Sequence, residues 1–237
     1  MKLCVIGGAG ARSAFLTKSL VKSTRDIRVD HIVLLDNDQQ KLKTYGEISR
    51  ELSRRLDPDL TFEVTSDARA ALTGVDYIIT TIRAGGDAGR LFDEQTCLAH
   101  GVLGQETTGA GGFAMAIRSV PTLVYYCTLA REVANPGHLI FNFTNPSGII
   151  TQALRSKGFD NVYGICDAPS GFIKQLEEIL EIPYGTLDIE CYGLNHLSWF
   201  RNAKVNGRDV QRELLDNPRT YEHSEMRLFT REMARIS

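Results

Sequence analysis

Four sets of residues in this chain have types and spacings that could do chemistry. The first is Gly7-Gly8-Ala9-Gly10, which follows the apolar run Lys2–Ile6 at once and precedes a segment of helical spacing. Glycines at such a turn let a backbone approach a pyrophosphate, and the helix N-terminus offers it oriented N–H groups. The second is Asp36, which ends the apolar run His31–Leu35 and can take ribose hydroxyls. The third is a pair of cations suited to an anionic ligand, Arg83 and Arg90, in a stretch rich in glycine. The fourth combines an amide, a thiol, a carboxylate and an imidazole: Asn145 before Pro146, Cys166 beside Asp167, and His196 after Asn195.

Each of these also has an ordinary structural reading. The arginines can be solvated loop charges, and Asn-Pro is a common turn or cap pair. A cysteine at a strand end is often a small buried hydrophobe, and an Asp before a helix often caps it. The glycine turn departs from G-x-G-x-x-G: the third glycine is Ser13 counting from Gly8, and Arg12 counting from Gly7. Asp36 lies 26 positions after Gly10 (36 against 10), where about 20 is usual.

The elements that must position these groups read as alternating strands and helices. Apolar runs at Lys2–Ile6, His31–Leu35, Thr61–Thr65, Val75–Ile82, His138–Phe143 and Asn161–Ile165 predict six strands. Helical spacing predicts helices over Gln39–Leu56, Ala68–Leu72, Phe113–Val133, from near Pro146, and from Pro169 to about Leu180. Arg83 to Gly112 reads as a long glycine-rich loop, functional or mobile. Strands separated by helices imply an α/β fold, a Rossmann-like doubly wound parallel sheet. Ligands bind such sheets beyond the carboxyl ends of the strands, where the candidate residues fall.

After Pro183 the pattern changes. Leu187–Tyr192 and Leu197–Val205 read as antiparallel strands, with a hairpin signal at Asn206-Gly207 and an amphipathic helix over Tyr221–Ile236. The expected division is therefore 1–183, a dinucleotide-binding domain, and 184–237, the start of a second α+β domain that the chain leaves incomplete.

Composition bounds the function. Hydrophobic residues make up 43% and charged residues 24%, the formal net charge is −2, and no basic block is present. That argues against nucleic acid or a membrane surface as partner. No signal peptide or uninterrupted apolar run of spanning length is seen. Five widely spaced cysteines without C-x-x-C suit a reduced cytoplasmic protein.

Taken in order, VIGGAG, LLDND, IRAGG with GRLFDEQ, GVLGQETTGAGGFAMAIRS, NFTNPSG, GICDAPSG and YGLNHLSWF make the chain resemble glycoside hydrolase family 4, the NAD-dependent glycosidases. NFTNPSG, TTGAGGF and YGLNHLS look most like members acting on 6-phospho-β-glucosides. The resemblance implies an exception to the usual two-carboxylate scheme. NAD+ takes a hydride from carbon 3, a base removes the hydrogen on carbon 2, and the aglycone leaves by elimination. Water then adds and the hydride returns. A divalent metal, usually Mn2+, stabilises the enolate charge.

Residue by residue, the resemblance implies Cys166 and His196 as metal ligands and Arg90 and Asn145 as substrate-binding residues. Ser13 falls where some members contact the substrate phosphate. Glu106 matches a position that raises the basicity of the catalytic tyrosine. Asp167 matches the proton donor of the phospho-α branch, where the phospho-β branch commonly has Asn, so anomer preference stays open. Gly7, Gly8, Gly10, Asp36 and Arg83 form the expected cofactor set. The family's tyrosine base falls beyond Ser237, so the expectation is of a fragment with poor turnover on its own, and of a dimer or tetramer when full length. The other readings are a different family 4 glycosidase such as a 6-phospho-α-glucosidase, a lactate/malate-type dehydrogenase, or an inactive nucleotide-binding fragment.

Overall fold

The structure, a computed structural model, describes residues 1–223. It forms two compact units, the first being Met1–Ile165 and the second starting at Cys166.

In the first unit, β1 (Lys2–Ile6) leads through the glycine turn into α1 (Ser13–Ile27), and β2 is His31–Leu35. The helix expected over Gln39–Leu56 forms as α2 (Gln39–Lys41), a π-helical turn (Leu42–Gly46) and α3 (Glu47–Leu56). Then come β3 (Thr61–Thr65), α4 (Ala68–Leu72), β4 (Tyr77–Thr80), α5 (Gly86–Ala99), α6 (Gly109–Val133), β5 (Leu139–Asn142), α7 (Ser147–Ser156) and β6 (Val162–Gly164). The six strands are parallel in the order β3-β2-β1-β4-β5-β6, the doubly wound order of dinucleotide-binding sheets.

Strand alternation fills both faces. Cys4 and Ile6 of β1 and Val33 and Leu35 of β2 join Leu72, Leu123, Ile150 and Leu154 on the face covered by α4, α6 and α7. Leu3, Val5, Ile32 and Leu34 point the other way, onto Val21, Leu16 and Leu20 of α1. The helix α6 is long and apolar enough, by length and composition, to cross a membrane. Its Ser119, Leu123 and Ala130 are nonetheless fully buried within this unit, as in the core helix of a globular fold.

The stretch Arg83–Gly112 departs from the expected loop, because its middle is the 14-residue helix α5. The periodicity misleads there: α5 buries Asp93 and Cys97 and exposes Leu91, Phe92 and Leu98. The glycines that follow, Gly104 in the loop and Gly112 in the first turn of α6, have packing reasons. A Cβ on Gly104 would lie 2.7 Å from the Glu94 carbonyl oxygen, and one on Gly112 2.6 Å from the Thr107 carbonyl carbon.

The second unit contains α8 (Ala168–Leu180), the antiparallel strands β7 (Leu187–Leu194), β8 (Leu197–Val205) and β9 (Arg208–Asp209), then α9 (Gln211–Asp216) and α10 (Pro218–His223). It begins before residue 184 because α8 turns Phe172, Leu176 and Ile179 onto Leu187, Ala203 and Leu214. The Asn206-Gly207 hairpin forms as the sequence signals, with φ of 51° and 81°, the left-handed pair a type I′ turn requires. Of the helix expected over Tyr221–Ile236, residues 224–236 lie outside the described residues.

Candidate functional site

Two clusters, one in each unit, hold the candidate residues. The first lies beyond the carboxyl ends of β1, β2, β4 and β5. Gly7 adopts φ +85°, and a Cβ on it would sit 2.7 Å from the Thr81 carbonyl oxygen, so only glycine fits where β1 passes the end of β4. A Cβ on Gly8 would lie 2.8 Å from Leu34 Cβ, whereas one on Gly10 meets nothing within 4 Å. The turn is therefore packed on its sheet side and open at Gly10. Arg12 begins α1 without a side-chain cap, and no acidic residue stands in its first turn. The Ser13 N–H is taken by the Gly10 carbonyl at 3.0 Å, but an uncapped helix start without acidic residues, beside the open glycine, suits a diphosphate. Asp36 Oδ2 accepts the Ala9 N–H at 3.1 Å, which places the carboxylate against this turn despite its long sequence spacing. Ser13 is buried at the start of α1, 4% exposed.

Past β4 the guanidinium of Arg83 pairs with Glu106, and its Nε lies 3.4 Å from Asp87. Arg90 donates from Nε to Glu94 at 2.7 Å, and its Nη1 lies 3.5 Å from Glu106. Glu106 is thus shared by both candidate arginines. The Glu94 hydrogen bond is the main reason that Arg90 is held above its ordinary arginine pKa. A polar chain joins β4 to β5 beneath this edge. The Ile82 N–H donates to Thr144 Oγ1 at 3.1 Å, Thr144 to Thr80 Oγ1 at 3.3 Å, and Thr80 to Asn142 Oδ1 at 2.8 Å. Asn142 is fully buried and its amide reaches Thr151 Oγ1 at 3.2 Å. This network holds the Thr144-Asn145-Pro146 corner, whose Asn145–Pro146 bond is cis. Sequence reading missed Asn142 and Thr80, because a buried amide inside an apolar strand looks like any outward polar residue.

The second cluster opens the second unit. Cys166 Sγ stands 3.7 Å from His196 Nε2. A metal shared by a thiolate at about 2.3 Å and an imidazole at about 2.1 Å, with a tetrahedral angle, would space those atoms by about 3.6 Å. The pair therefore fits a divalent cation, with its remaining positions left for other donors. Among the described residues no group of three or more His, Cys, Asp or Glu gathers as a metal cluster. His196 adopts φ +61°, an uncommon conformation for a side-chain-bearing residue, at the hairpin between β7 and β8. The neighbouring Asn195 Oδ1 is buried without a hydrogen-bond partner among the described residues. Asp167 is exposed at the start of α8 and makes no side-chain cap bond, so capping does not account for its carboxylate. The described cysteines are all free; Cys4, Cys97 and Cys127 are buried and Cys191 is exposed.

Comparison with known proteins matches residues 2–182 to the family 4 glycosyl hydrolase model. A 6-phospho-β-glucosidase of Thermotoga maritima is 35% identical over 92% of this chain and 51% of its own length. A phospho-α-glucosidase of Clostridium acetobutylicum is 32% identical over 91% of this chain and 50% of its own. The chain thus spans about half the length of the curated relatives it matches. A crystal structure of a 6-phospho-α-glucosidase from gut microorganisms, in complex with NAD and Mn2+, superposes with TM-score 0.87 at 30% identity, covering 94% of this chain and 51% of that one. A lactate dehydrogenase of Eimeria maxima shares the fold alone, at TM-score 0.63 and 15% identity over 90% of this chain and 60% of that one. With a family model covering most of the chain and these relatives agreeing with it, the chain belongs to family 4 of the glycosyl hydrolases.

Proposed function

We propose that the protein is a glycosidase that hydrolyses 6-phospho-β-glucosides through transient oxidation of the sugar, using NAD and a divalent metal, Mn2+ first among them. The observation that carries this reading is the Cys166–His196 pair at 3.7 Å in a chain whose sheet edge also presents a dinucleotide cradle. A dehydrogenase acting on a 2-hydroxy acid has no use for that thiolate, and it sets its imidazole against a carboxylate where His196 faces Cys166.

When bound, the dinucleotide supplies hydride acceptance and return, and the cation supplies Lewis-acid stabilisation of negative charge on sugar oxygens. Gly7, Gly8, Gly10 and the first N–H groups of α1 hold the pyrophosphate, Asp36 takes the ribose hydroxyls, and Arg83 supports the cofactor. Arg90 and Asn145 hold the substrate, with Ser13 directed to its phosphate. Cys166 and His196 hold the cation. Asp167 is assigned the proton given to the departing aglycone oxygen. Glu106, between Arg83 and Arg90, is assigned the support of the base that removes the proton on carbon 2. A cytoplasmic setting keeps the Cys166 thiol reduced, and exposed Phe92, Leu103 and Phe113 suit a homo-oligomer.

A second reading, a 6-phospho-α-glucosidase, is favoured by Asp167 itself, whose carboxylate is exposed and not spent on capping. The test is p-nitrophenyl 6-phospho-β- and α-glucoside hydrolysis with NAD+, Mn2+ and a reductant. The expected result is release that needs all three additions, with no net NADH. Release independent of NAD+, or net NADH from lactate or malate, would overturn the reading.

A further inference from the structure

The residue that organises the arginine cluster is one that neither its sequence neighbours nor the proposed chemistry singles out. Arg118 lies on α6, with its side chain 30% exposed. Its Nη1 donates to Asp93 Oδ1 at 2.9 Å, its Nη2 pairs with the other oxygen, and its Nε donates to the Ala84 carbonyl at 3.3 Å. Asp93 is buried, 6% exposed. The two groups that Arg118 grips therefore each lie close in sequence to one of the candidate arginines. Ala84 follows Arg83, and Asp93 comes three residues, one helical turn, after Arg90. The glycines between them make room for the guanidinium. A Cβ on Gly85 would lie 3.0 Å from Arg118 Nε, and one on Gly89 3.4 Å from Nη2.

We infer that Arg118 and Asp93 are a positioning pair that fixes the turn Ala84–Gly89, and with it the places of Arg83 and Arg90. Arg118 touches no assigned ligand position; it acts through the backbone it holds. Its planar fork serves three acceptor positions at fixed angles, which a lysine cannot reproduce. The consequence for ligand binding rests on the proposed role of Arg90 in holding a phosphorylated sugar.

Two measurements on the same proteins separate the parts. Hydrogen exchange reads the turn directly: Arg118→Lys should speed exchange of the amides of residues 85–90 at least tenfold while leaving those of β1 and β4 unchanged. Asp93→Asn, which keeps the side-chain shape, should do the same if Arg118→Lys folds poorly. Titration with glucose 6-phosphate reads the effect on binding. Arg90→Ala and Arg118→Lys should each weaken it about tenfold, and the double variant should be no weaker than Arg90→Ala alone. Leu154→Ala, destabilising but on α7 and away from the helix that carries Arg118, should leave affinity unchanged. Exchange that is unaltered or rises everywhere would overturn the positioning role, as would additive losses in the double variant. If the exchange result is local but Arg90→Ala binds glucose 6-phosphate normally, the role given to Arg90 falls and the positioning pair stands.

Discussion

Asp36 accepts the Ala9 N–H at 3.1 Å through one carboxylate oxygen and the Asp38 N–H at 3.1 Å through the other, so a single side chain ties the end of β2 to the glycine turn. The carboxylate is thereby oriented before any ligand arrives, and each oxygen keeps a lone pair for a ribose hydroxyl. A 2′-phosphate would meet this negative charge. The expected outcome is tighter binding of NAD+ than of NADP+, although Lys41, 3.5 Å from Asp38, softens the local charge. Asp36→Ala should weaken NAD+ by roughly tenfold to a hundredfold, the range for a hydrogen bond to a charged group. Fluorescence titration with both cofactors checks it, and NADP+ binding as tight as NAD+ would sink the idea.

The Cys166–His196 pair predicts a separate loss. Removing either donor should cost more Mn2+ affinity than the about 10–100-fold typical for loss of a group that merely supports a ligand. Cys166→Ser and His196→Ala should therefore release Mn2+, followed by the electron paramagnetic resonance of the free ion, while NAD+ affinity stays close to that of the unsubstituted chain. Peroxide should abolish Mn2+ binding and a thiol reductant should restore it, because sulfenic acid and disulfide products are reversible. Retention of Mn2+ by Cys166→Ser would remove Cys166 from the site.

Much of this arrangement is legible in the residues, and the exceptions have physical reasons. The strands announce themselves because a parallel sheet buried on both faces demands continuous apolar runs such as HIVLL and YIIT. The glycine turn is legible because Gly7 must take a positive φ beside Thr81. Helix α5 is not, since its buried face carries Asp93 and Cys97 while Leu91 and Phe92 face outward. Asp93 can be buried only because Arg118, 25 residues later, satisfies it, and no local pattern reports that partner. The unit boundary fails for a related reason: the apolar face of α8 shows in its periodicity, but not the β7–β8 surface it packs on.

The chain of hydroxyls and amide at Thr144, Thr80 and Asn142 should matter to stability more than its surface neighbours do. Asn142→Ala leaves the buried Thr80 hydroxyl and the half-buried Thr151 side chain each short of a partner. Each buried group left unpaired costs about 1–3 kcal/mol. Urea unfolding should show a loss in that range or above it, with an unchanged denaturant slope. Asp38→Ala, an exposed cap, is the comparison and should cost about 1 kcal/mol. A loss for Asn142→Ala below that of Asp38→Ala would mean that the network is not satisfied as described.

The last prediction concerns alkaline pH. Burial pushes the Cys4 and Cys127 thiols up to about 12, well above the value near 8.5 of a free cysteine. Between those values the unfolded chain sheds protons that the native chain keeps. The stabilising contribution is therefore complete below about pH 8.5 and is lost as pH rises toward 12. At a pH well above 8.5 each thiol should remove about 1.4 kcal/mol of stability per pH unit. The urea midpoint should fall between pH 8.5 and 10.5, and Cys4→Ala with Cys127→Ala should flatten that fall while lowering stability at pH 7. Labelling with iodoacetamide at pH 8 gives the companion result. Exposed Cys191 and half-buried Cys166 should react in the native protein, and Cys4 and Cys127 only after denaturant is added. Prompt native labelling of Cys4, or a urea midpoint whose alkaline fall is the same with and without the two thiols, would show that these thiols are not sealed in the core.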